Sequence, residues 1–554
     1  MTLKNWERIA KDYPWIQDGL NSMSDHDKQD AFYKSLEFGT AGMRGLLGVG
    51  PNRMNLLTVA KANLGFGKYL VEEFEGQELK IAIAYDNRHM SKEFADISAR
   101  ILSTFGIQSY VFENLRPTPE LSFAVRELSC IGGIVITASH NPKEYNGYKV
   151  YDETGCQLID SKIAKVIANI NENPDETLID LNVGDTSLIH TIGEDMDHKY
   201  LEALKGIQLR PNDEKDLTIV FTSQHGTSYP LVPNLLESCG YKVIVVEEQS
   251  SFDPDFSNTK TPNPEELESY DLAIEYAIKY NADIVLSCDP DADRMGIVVN
   301  HEGSFEYLTG NQGGSILQEY IYSSRNELNK MPERPIMFNT VVTSDLGDKI
   351  AKKYGITVEK TLTGFKYIGT KIQEHNTKGD YEFVFGYEES YGYLLADFAR
   401  DKDAPQACLM VAEAANFYKK EKRTLVDVLN GLYAEHGAHV EKQVAITRAG
   451  ETGLQEIQNI LKTFREDSPA TLGGINVLMV DDFLTSKRST GEDLDFPQSN
   501  VLKFYLEDGS WIAIRPSGTE PKCKFYYCVI GKTTELANEK FETLKNDVNR
   551  IAKI

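Results

Sequence analysis

Asp289-Pro290-Asp291-Ala292-Asp293-Arg294 sets three carboxylates at every second position, directly after the apolar run Ile284-Val285-Leu286. In a two-residue repeat, side chains i, i+2 and i+4 project to one side, and oxygen-only ligands suit a hard cation such as Mg²⁺ rather than zinc. A second segment, Thr137-Ala138-Ser139-His140-Asn141-Pro142, also follows an apolar run, Ile134-Val135-Ile136. Together the two segments suggest a serine phosphate beside a metal.

Two familiar acidic loops begin like this hexapeptide but fit it less well. A calcium-binding EF-hand needs glycine at its sixth position and glutamate at its twelfth. Here those are Arg294 and Asn300. A haloacid-dehalogenase-type phosphatase wants Thr or Val after its second aspartate, where Ala292 stands. Ser139 alone is weak evidence, since a serine in a strand-to-helix loop is ordinarily a helix cap. His140 makes no Ser/His dyad with it, because neighbours on an extended chain point apart.

Three further segments carry polar chemistry: Gly39-Thr40-Ala41-Gly42-Met43-Arg44-Gly45, Gly386-Tyr387-Glu388-Glu389-Ser390-Tyr391-Gly392, and Arg515-Pro516-Ser517-Gly518-Thr519-Glu520-Pro521-Lys522. The last combines a guanidinium, two hydroxyls, a glycine and an ammonium between two strands. That is the donor set of a phosphate cradle, and a plain β-turn needs no such set.

The elements that must position these residues alternate short apolar runs with helix-like stretches, an α/β pattern. Lys80 to Arg88, Leu217 to Gly226 and Arg334 to Ser344 fall in successive thirds and hint at one architecture used three times. From Val440 the texture changes to strands such as Val501 to Leu506 and Trp511 to Ile514, closed by a helix with Ala537, Phe541, Leu544, Val548 and Ile551 on one face. The expected fold class is therefore α/β, with three similar domains of mixed sheet and a smaller C-terminal α+β domain around a central cleft. The expected divisions are 1–208, 209–303, 304–437 and 438–554, bearing in turn the Ser139 loop, the aspartate loop, the Gly386 to Gly392 segment and the Arg515 to Lys522 segment.

Composition sets limits on partners. The 554 residues are enough for about three or four domains. Lys+Arg 58 against Asp+Glu 84 gives a net charge of −26, which argues against nucleic acid as a partner. Salt screens distant charges within about 8 Å, so a local cation cluster can still govern a cleft for a phosphorylated small molecule. Seven scattered cysteines without CxxC spacing suit a reducing cytoplasm. No apolar run is long enough to span a membrane, and the charged start lacks the apolar core of a signal peptide.

With its five segments in order, the chain resembles the α-D-phosphohexomutase superfamily from near residue 37 to near residue 530, closest to the phosphoglucomutases that carry Leu36 to Gly45 as LEFGTAGMRG. The resemblance implies that Ser139 is the phosphoserine and that Asp289, Asp291 and Asp293 bind Mg²⁺ with a phosphoserine oxygen. It places Arg294 beside the transferring phosphoryl group, and makes Arg44, His140, Lys149 and Lys366 candidates for charge stabilisation and proton transfer. Thr363, Gly364, Glu388 and Ser390 match sugar recognition, and Arg515, Ser517, Gly518, Thr519 and Lys522 match the clamp on the phosphate that is not transferred. The implied reaction interconverts glucose 1-phosphate and glucose 6-phosphate, with glucose 1,6-bisphosphate as activator. Phosphopentomutase and phosphomannomutase are the alternatives within the family, and a non-catalytic sugar-phosphate sensor and a simple phosphatase using the same metal are the alternatives of another class. Tyr387 departs from the pattern of the many relatives that carry glycine there.

Overall fold

The computed structural model describes residues 3–39, 42–448, 450–516 and 522–554. Its first three sheets share one four-stranded unit. In the first, Lys80–Tyr85 lies between parallel neighbours Gln108–Phe112 and Gly132–Ile136, and the latter pairs antiparallel with Tyr145–Asp152. In the second, Thr218–Thr222 lies between Lys242–Val245 and Ile284–Cys288, and the latter pairs antiparallel with Met295–His301. In the third, Pro335–Thr340 lies between Thr357–Thr361 and Glu382–Glu388, and the latter pairs antiparallel with Gly392–Leu394. The spatial order is thus fourth, third, first, second strand in all three units, and the hinted repetition is a repetition of topology.

The strands follow from their composition. Gly132–Ile136, Ile284–Cys288 and Pro335–Thr340 are buried along their whole length, as strands covered on both faces must be. In open α/β sheets ligands collect at the carboxyl ends of the strands. The connection from third to fourth strand holds Ser139 in the first unit, Asp289 to Asp293 in the second, and Glu389 to Tyr391 in the third.

The expected division at 303/304 falls inside a hairpin. Ser304–Leu308 pairs antiparallel with Met295–His301, so the second sheet runs on to Leu308. Helix Ala404–Lys420, buried over most of its length, packs its apolar side chains into a core shared by the second and third units. The C-terminal sheet is antiparallel throughout, and the closing helix Thr534–Ala552 buries Ala537, Phe541, Leu544 and Val548 against it. Ile551, partly buried, packs against the same core, and Ala552 is the last buried position. This sheet is anchored to the third unit by Trp511, Ala513 and Tyr526 packed with Val341, Val342 and Leu362, and by Lys503 Nζ, which donates to Val341 O at 2.8 Å. Among the described residues no helix is long and apolar enough to cross a membrane.

Candidate active site

Ser139 sits in a strand-to-strand connection, so no helix follows for it to cap. Its backbone is left-handed, at φ 52°, and its N–H donates to Thr137 Oγ1 at 2.8 Å. This bend overturns the expectation that His140 points away: His140 Nδ1 lies 3.1 Å from Ser139 Oγ. The extended geometry that would separate the two side chains is absent. Ser139 Oγ donates to Asp289 Oδ2 at 2.6 Å, joining the first and second units.

Arg88 shapes the loop. Its guanidinium donates to the carbonyls of Ser139 at 2.5 Å, Asn141 at 2.6 Å, Pro142 at 2.8 Å and Tyr145 at 3.1 Å, while Asp86 pairs with its Nε at 3.2 Å. A planar fork of five donors suits this task, and an ammonium does not.

The aspartates converge differently from the expected alternation along an extended strand. The loop coils about Asp289, whose carbonyl accepts from Ala292 N at 2.9 Å and whose Oδ1 accepts from Asp293 N at 3.1 Å and Arg294 N at 3.0 Å. Ala292 is left-handed at φ 54°. One oxygen from each of Asp289, Asp291 and Asp293 lies within 4.8 Å of the others, and all three residues are buried. Asp291 Oδ1 and Asp293 Oδ1 have no hydrogen-bond partner. Buried carboxylates with unfilled lone pairs are costly unless a cation takes them, so this donor set fits a hard divalent ion. Burial and the neighbouring carboxylates push Asp289 well above the usual range. Burial acts on Asp291 in the same direction, but the Lys149 ammonium at 2.8 Å outweighs it and holds Asp291 below that range.

The third loop places Glu388 on Gly364, whose N–H donates to Glu388 Oε1 at 2.7 Å. Burial raises Glu388 to about 7, with Lys402 opposing the shift. Glu389 Oε2 accepts from the hydroxyls of Thr340 and Thr343, both at 3.2 Å. Met295 N donates to Tyr391 O at 3.0 Å and ties this loop to the metal loop. Tyr387 is fully buried, and a Cβ on Gly314 or Gly347 would lie 2.4 or 2.3 Å from its ring or hydroxyl. Those two glycines make room for the departure at 387.

In all three units the segment beginning at the end of the first strand braces the chemical loop. Arg88 does so in the first unit and Thr340 with Thr343 in the third. In the second, Thr227 donates from N and Oγ1 to Pro290 O at 2.8 and 3.0 Å, and Gly226 is obligatory because a Cβ there would stand 2.4 Å from Pro290 Cα.

Four sequence profiles of phosphoglucomutase/phosphomannomutase match the chain in order: alpha/beta/alpha domain I at residues 35–177, domain II at 198–303, domain III at 309–436 and the C-terminal domain at 441–540. A phosphoglucomutase of Staphylococcus epidermidis is 37% identical over 555 residues, covering 98% of both chains. The chain belongs to the phosphoglucomutase/phosphomannomutase family. A phosphoglucomutase of Staphylococcus aureus is 37% identical over 94% of both chains. Among solved structures, the Paramecium pp63/parafusin phosphoglucomutase in its open form has a TM-score of 0.69 at 18% identity, covering 94% of this chain and 96% of its own. A phosphoglucomutase/phosphomannomutase family protein from Burkholderia thailandensis matches equally well, at 0.69 and 18%, over 93% and 97%. Membership makes this chain an isomerase that works by phosphoryl transfer, in a family of metal-dependent phosphohexomutases.

The remaining expected residues have definite places around this site. Lys149 also reaches Asp293 at 3.4 Å. Arg44 Nη1 donates to Asn141 Oδ1 at 2.8 Å from an exposed position. Arg294 pairs with Glu265 and lies 3.8 Å from Asp293 Oδ1. Lys366 donates to Asp160 Oδ1 at 2.6 Å, while Thr363 Oγ1 is buried without a partner and Ser390 is half-buried. Arg515 and Lys522 stand on adjacent strands of the C-terminal sheet, and Ser517, Gly518 and Thr519 lie outside the described residues.

Three residues join the site without a motif to announce them. Arg88 lies at the end of the Lys80 to Arg88 run, a placement that is its only sequence signal. Lys402 Nζ lies 3.1 Å from Asp293 Oδ2, and Thr118 Oγ1 donates to Asp291 Oδ2 at 3.0 Å. A buried serine hydroxyl, three convergent carboxylates, ammonium and guanidinium groups and the buried Glu388 thus come together. That inventory suits phosphoryl transfer, in which alignment and charge neutralisation carry most of the rate.

Proposed function

We propose that the chain is a phosphoglucomutase, converting α-D-glucose 1-phosphate and glucose 6-phosphate reversibly through phosphoserine 139 and glucose 1,6-bisphosphate. The observation that carries this reading is the 2.6 Å bond from Ser139 Oγ to Asp289 Oδ2, which puts a buried nucleophile directly on the metal cage. The identity to phosphoglucomutases over nearly the whole chain supports glucose as the sugar. A solved N-acetylphosphoglucosamine mutase variant from Aspergillus fumigatus, of related fold at TM-score 0.52 and 14% identity, holds glucose 1,6-bisphosphate, which supports that compound as the activator.

O6 of glucose 1-phosphate attacks the phosphorus of phosphoserine 139. The P–Oγ bond breaks, Ser139 keeps that electron pair, and the O6 proton passes to His140. Burial and the cations of Arg294 and Arg44 hold His140 well below its usual range, so it is neutral at pH 7 and able to accept a proton. Asp289, Asp291 and Asp293 would hold Mg²⁺, which would supply positive charge to the phosphoryl oxygens. Arg294 and Lys149 flank the same oxygens, and Lys366 answers them from the third unit. The bisphosphate then turns over, Ser139 Oγ attacks the O1 phosphorus, the P–O1 bond breaks, and O1 keeps that electron pair and takes the proton back from His140, which leaves glucose 6-phosphate and phosphoserine 139. Glu388, Ser390, Thr363 and Gly364 hold ring hydroxyls in both orientations, and Arg515, Lys522, Ser517, Gly518 and Thr519 hold the other phosphate. We assign the enzyme to the reducing cytoplasm, where its seven thiols stay free.

Incubation with glucose 1-phosphate, Mg²⁺ and catalytic glucose 1,6-bisphosphate tests the reading. Glucose 6-phosphate is the expected product. Free phosphate alone, or faster turnover of mannose 1-phosphate or ribose 1-phosphate, would reassign the activity.

A further inference from the structure

Glu265 takes no part in the transfer chemistry, yet its surroundings fix it with unusual care. It follows Pro262-Asn263-Pro264, where two pyrrolidine rings preset the backbone. Asn263 Oδ1 accepts from Glu265 N at 3.1 Å, Asn263 O accepts from Glu266 N at 3.0 Å, and Tyr270 Oη donates to Pro264 O at 2.7 Å. The loop then docks on the strand that leaves the metal loop. It does so at Gly296, where a Cβ would lie 1.8 Å from Tyr270 Oη and 3.1 Å from Pro264 Cβ. Two residues before that glycine is Arg294.

Glu265 Oε1 accepts from Arg294 Nη1. The Arg294 side chain keeps 18% of its exposure and that of Glu265 keeps 34%. Arg294 Nε is buried without a hydrogen bond and faces Asp293 Oδ1 at 3.8 Å. One corner of the guanidinium is therefore held by Glu265, while its Nε side is turned to the metal loop. That is the arrangement needed if the guanidinium is to meet a second anion in a fixed orientation.

We infer that Glu265 is a positioning residue, which holds Arg294 by Nη1 so that the rest of the guanidinium faces the phosphoryl group during transfer. The inference rests on the mutase reading for the identity of that group. A long side chain left to sample its rotamers would spend little time aligned, and misplacement on the ångström scale costs about a hundredfold in rate. Arg294 is the group that the Glu265 carboxylate bonds, so its effect belongs chiefly in the chemical step and not in binding.

Glu265→Ala tests this in the full-length enzyme, alongside the parent chain, Arg294→Lys and the double variant. The expected result is a kcat for glucose 1-phosphate reduced roughly tenfold to a hundredfold, with KM and the Mg²⁺ titration within about twofold of the parent. In the Arg294→Lys background the same substitution should cost nothing more, because its partner's fork is already gone. Glu265→Asp, with the shorter reach, should fall between. Parental kcat in Glu265→Ala, a loss confined to KM, or losses that multiply in the double variant would each overturn the assignment. A parent chain that makes no glucose 6-phosphate would instead overturn the mutase reading. Glu265 lies on a surface loop and is not part of a core, and equal melting temperatures for parent and variant would confirm that the comparison is one of folded proteins.

Discussion

Ser139 Oγ and Asp289 Oδ2 lie 2.6 Å apart although 150 positions separate them in the chain. The contact makes the nucleophile answerable to the metal loop. A phosphoryl oxygen on Ser139 would join Asp289, Asp291 and Asp293 as a further ligand to the cation that the cage would hold. Ser139→Ala should abolish mutase turnover and leave the fold intact, since the strands on either side keep their buried faces. Intact mass after treatment with glucose 1,6-bisphosphate should rise in the parent and stay constant in the variant. Retained turnover would refute a phosphoserine intermediate.

Arg88 should prove as costly to lose as a residue that touches substrate. Four carbonyls accept from it, and each that becomes an orphan in the buried loop costs about 1 kcal/mol or more. Arg88→Lys leaves one compact ammonium to serve them all. We expect kcat to fall roughly a hundredfold and the melting temperature to drop by several degrees. Parental activity in Arg88→Lys would mean that the bend at Ser139 is held by Thr137 and its neighbours without the clamp.

Glu388 should make stability depend on pH in a stated direction. Its carboxyl is raised to about 7 when folded, against about 4.3 when exposed to water. The folded state therefore holds this proton more tightly. The stability it contributes is fully present below about pH 4.3 and is lost as pH rises through about 7. Glu388→Gln should flatten that decline in urea midpoints taken on either side of neutrality. A parent chain whose midpoint rises across the same interval, with no change in the variant, would show that another group dominates. The ionised form is the better acceptor for sugar hydroxyls, so KM for glucose 1-phosphate should fall over the same interval in the parent alone.

Arg515→Ala should raise KM for glucose 1-phosphate by roughly tenfold or more, the loss of one charge-assisted hydrogen bond. Mg²⁺ affinity should be unchanged, since the cage belongs to another sheet. A Mg²⁺ titration shifted along with KM would place Arg515 next to the metal.

The serine and aspartate loops are legible in the sequence because residue types, spacing and a preceding apolar strand all agree at each of them. Arg88 and Lys402 are not. Four of Arg88's partners are backbone carbonyls, which leave no trace in residue identity, and Lys402 meets Asp293 only after the chain has built another whole sheet. His140 escapes a reading by alternation for a geometric reason, since the φ of 52° at Ser139 belongs to no extended chain. The second sheet runs past the 303/304 division for a related one. Glu302 and Gly303 read like the punctuation between domains, yet both have positive φ and form a tight hairpin within one sheet.

The shared strand order has an evolutionary corollary. The residues proposed as nucleophile, cation cage and sugar loop occupy the same connection on three copies of one chassis, so each can be edited without redesigning the other two. An ancestral duplication that supplied the chassis would have left the third copy free to drift. Changes confined to Glu388 through Tyr391, braced by Thr340 and Thr343, could then retune which sugar is admitted while the phosphorylating apparatus stayed in service.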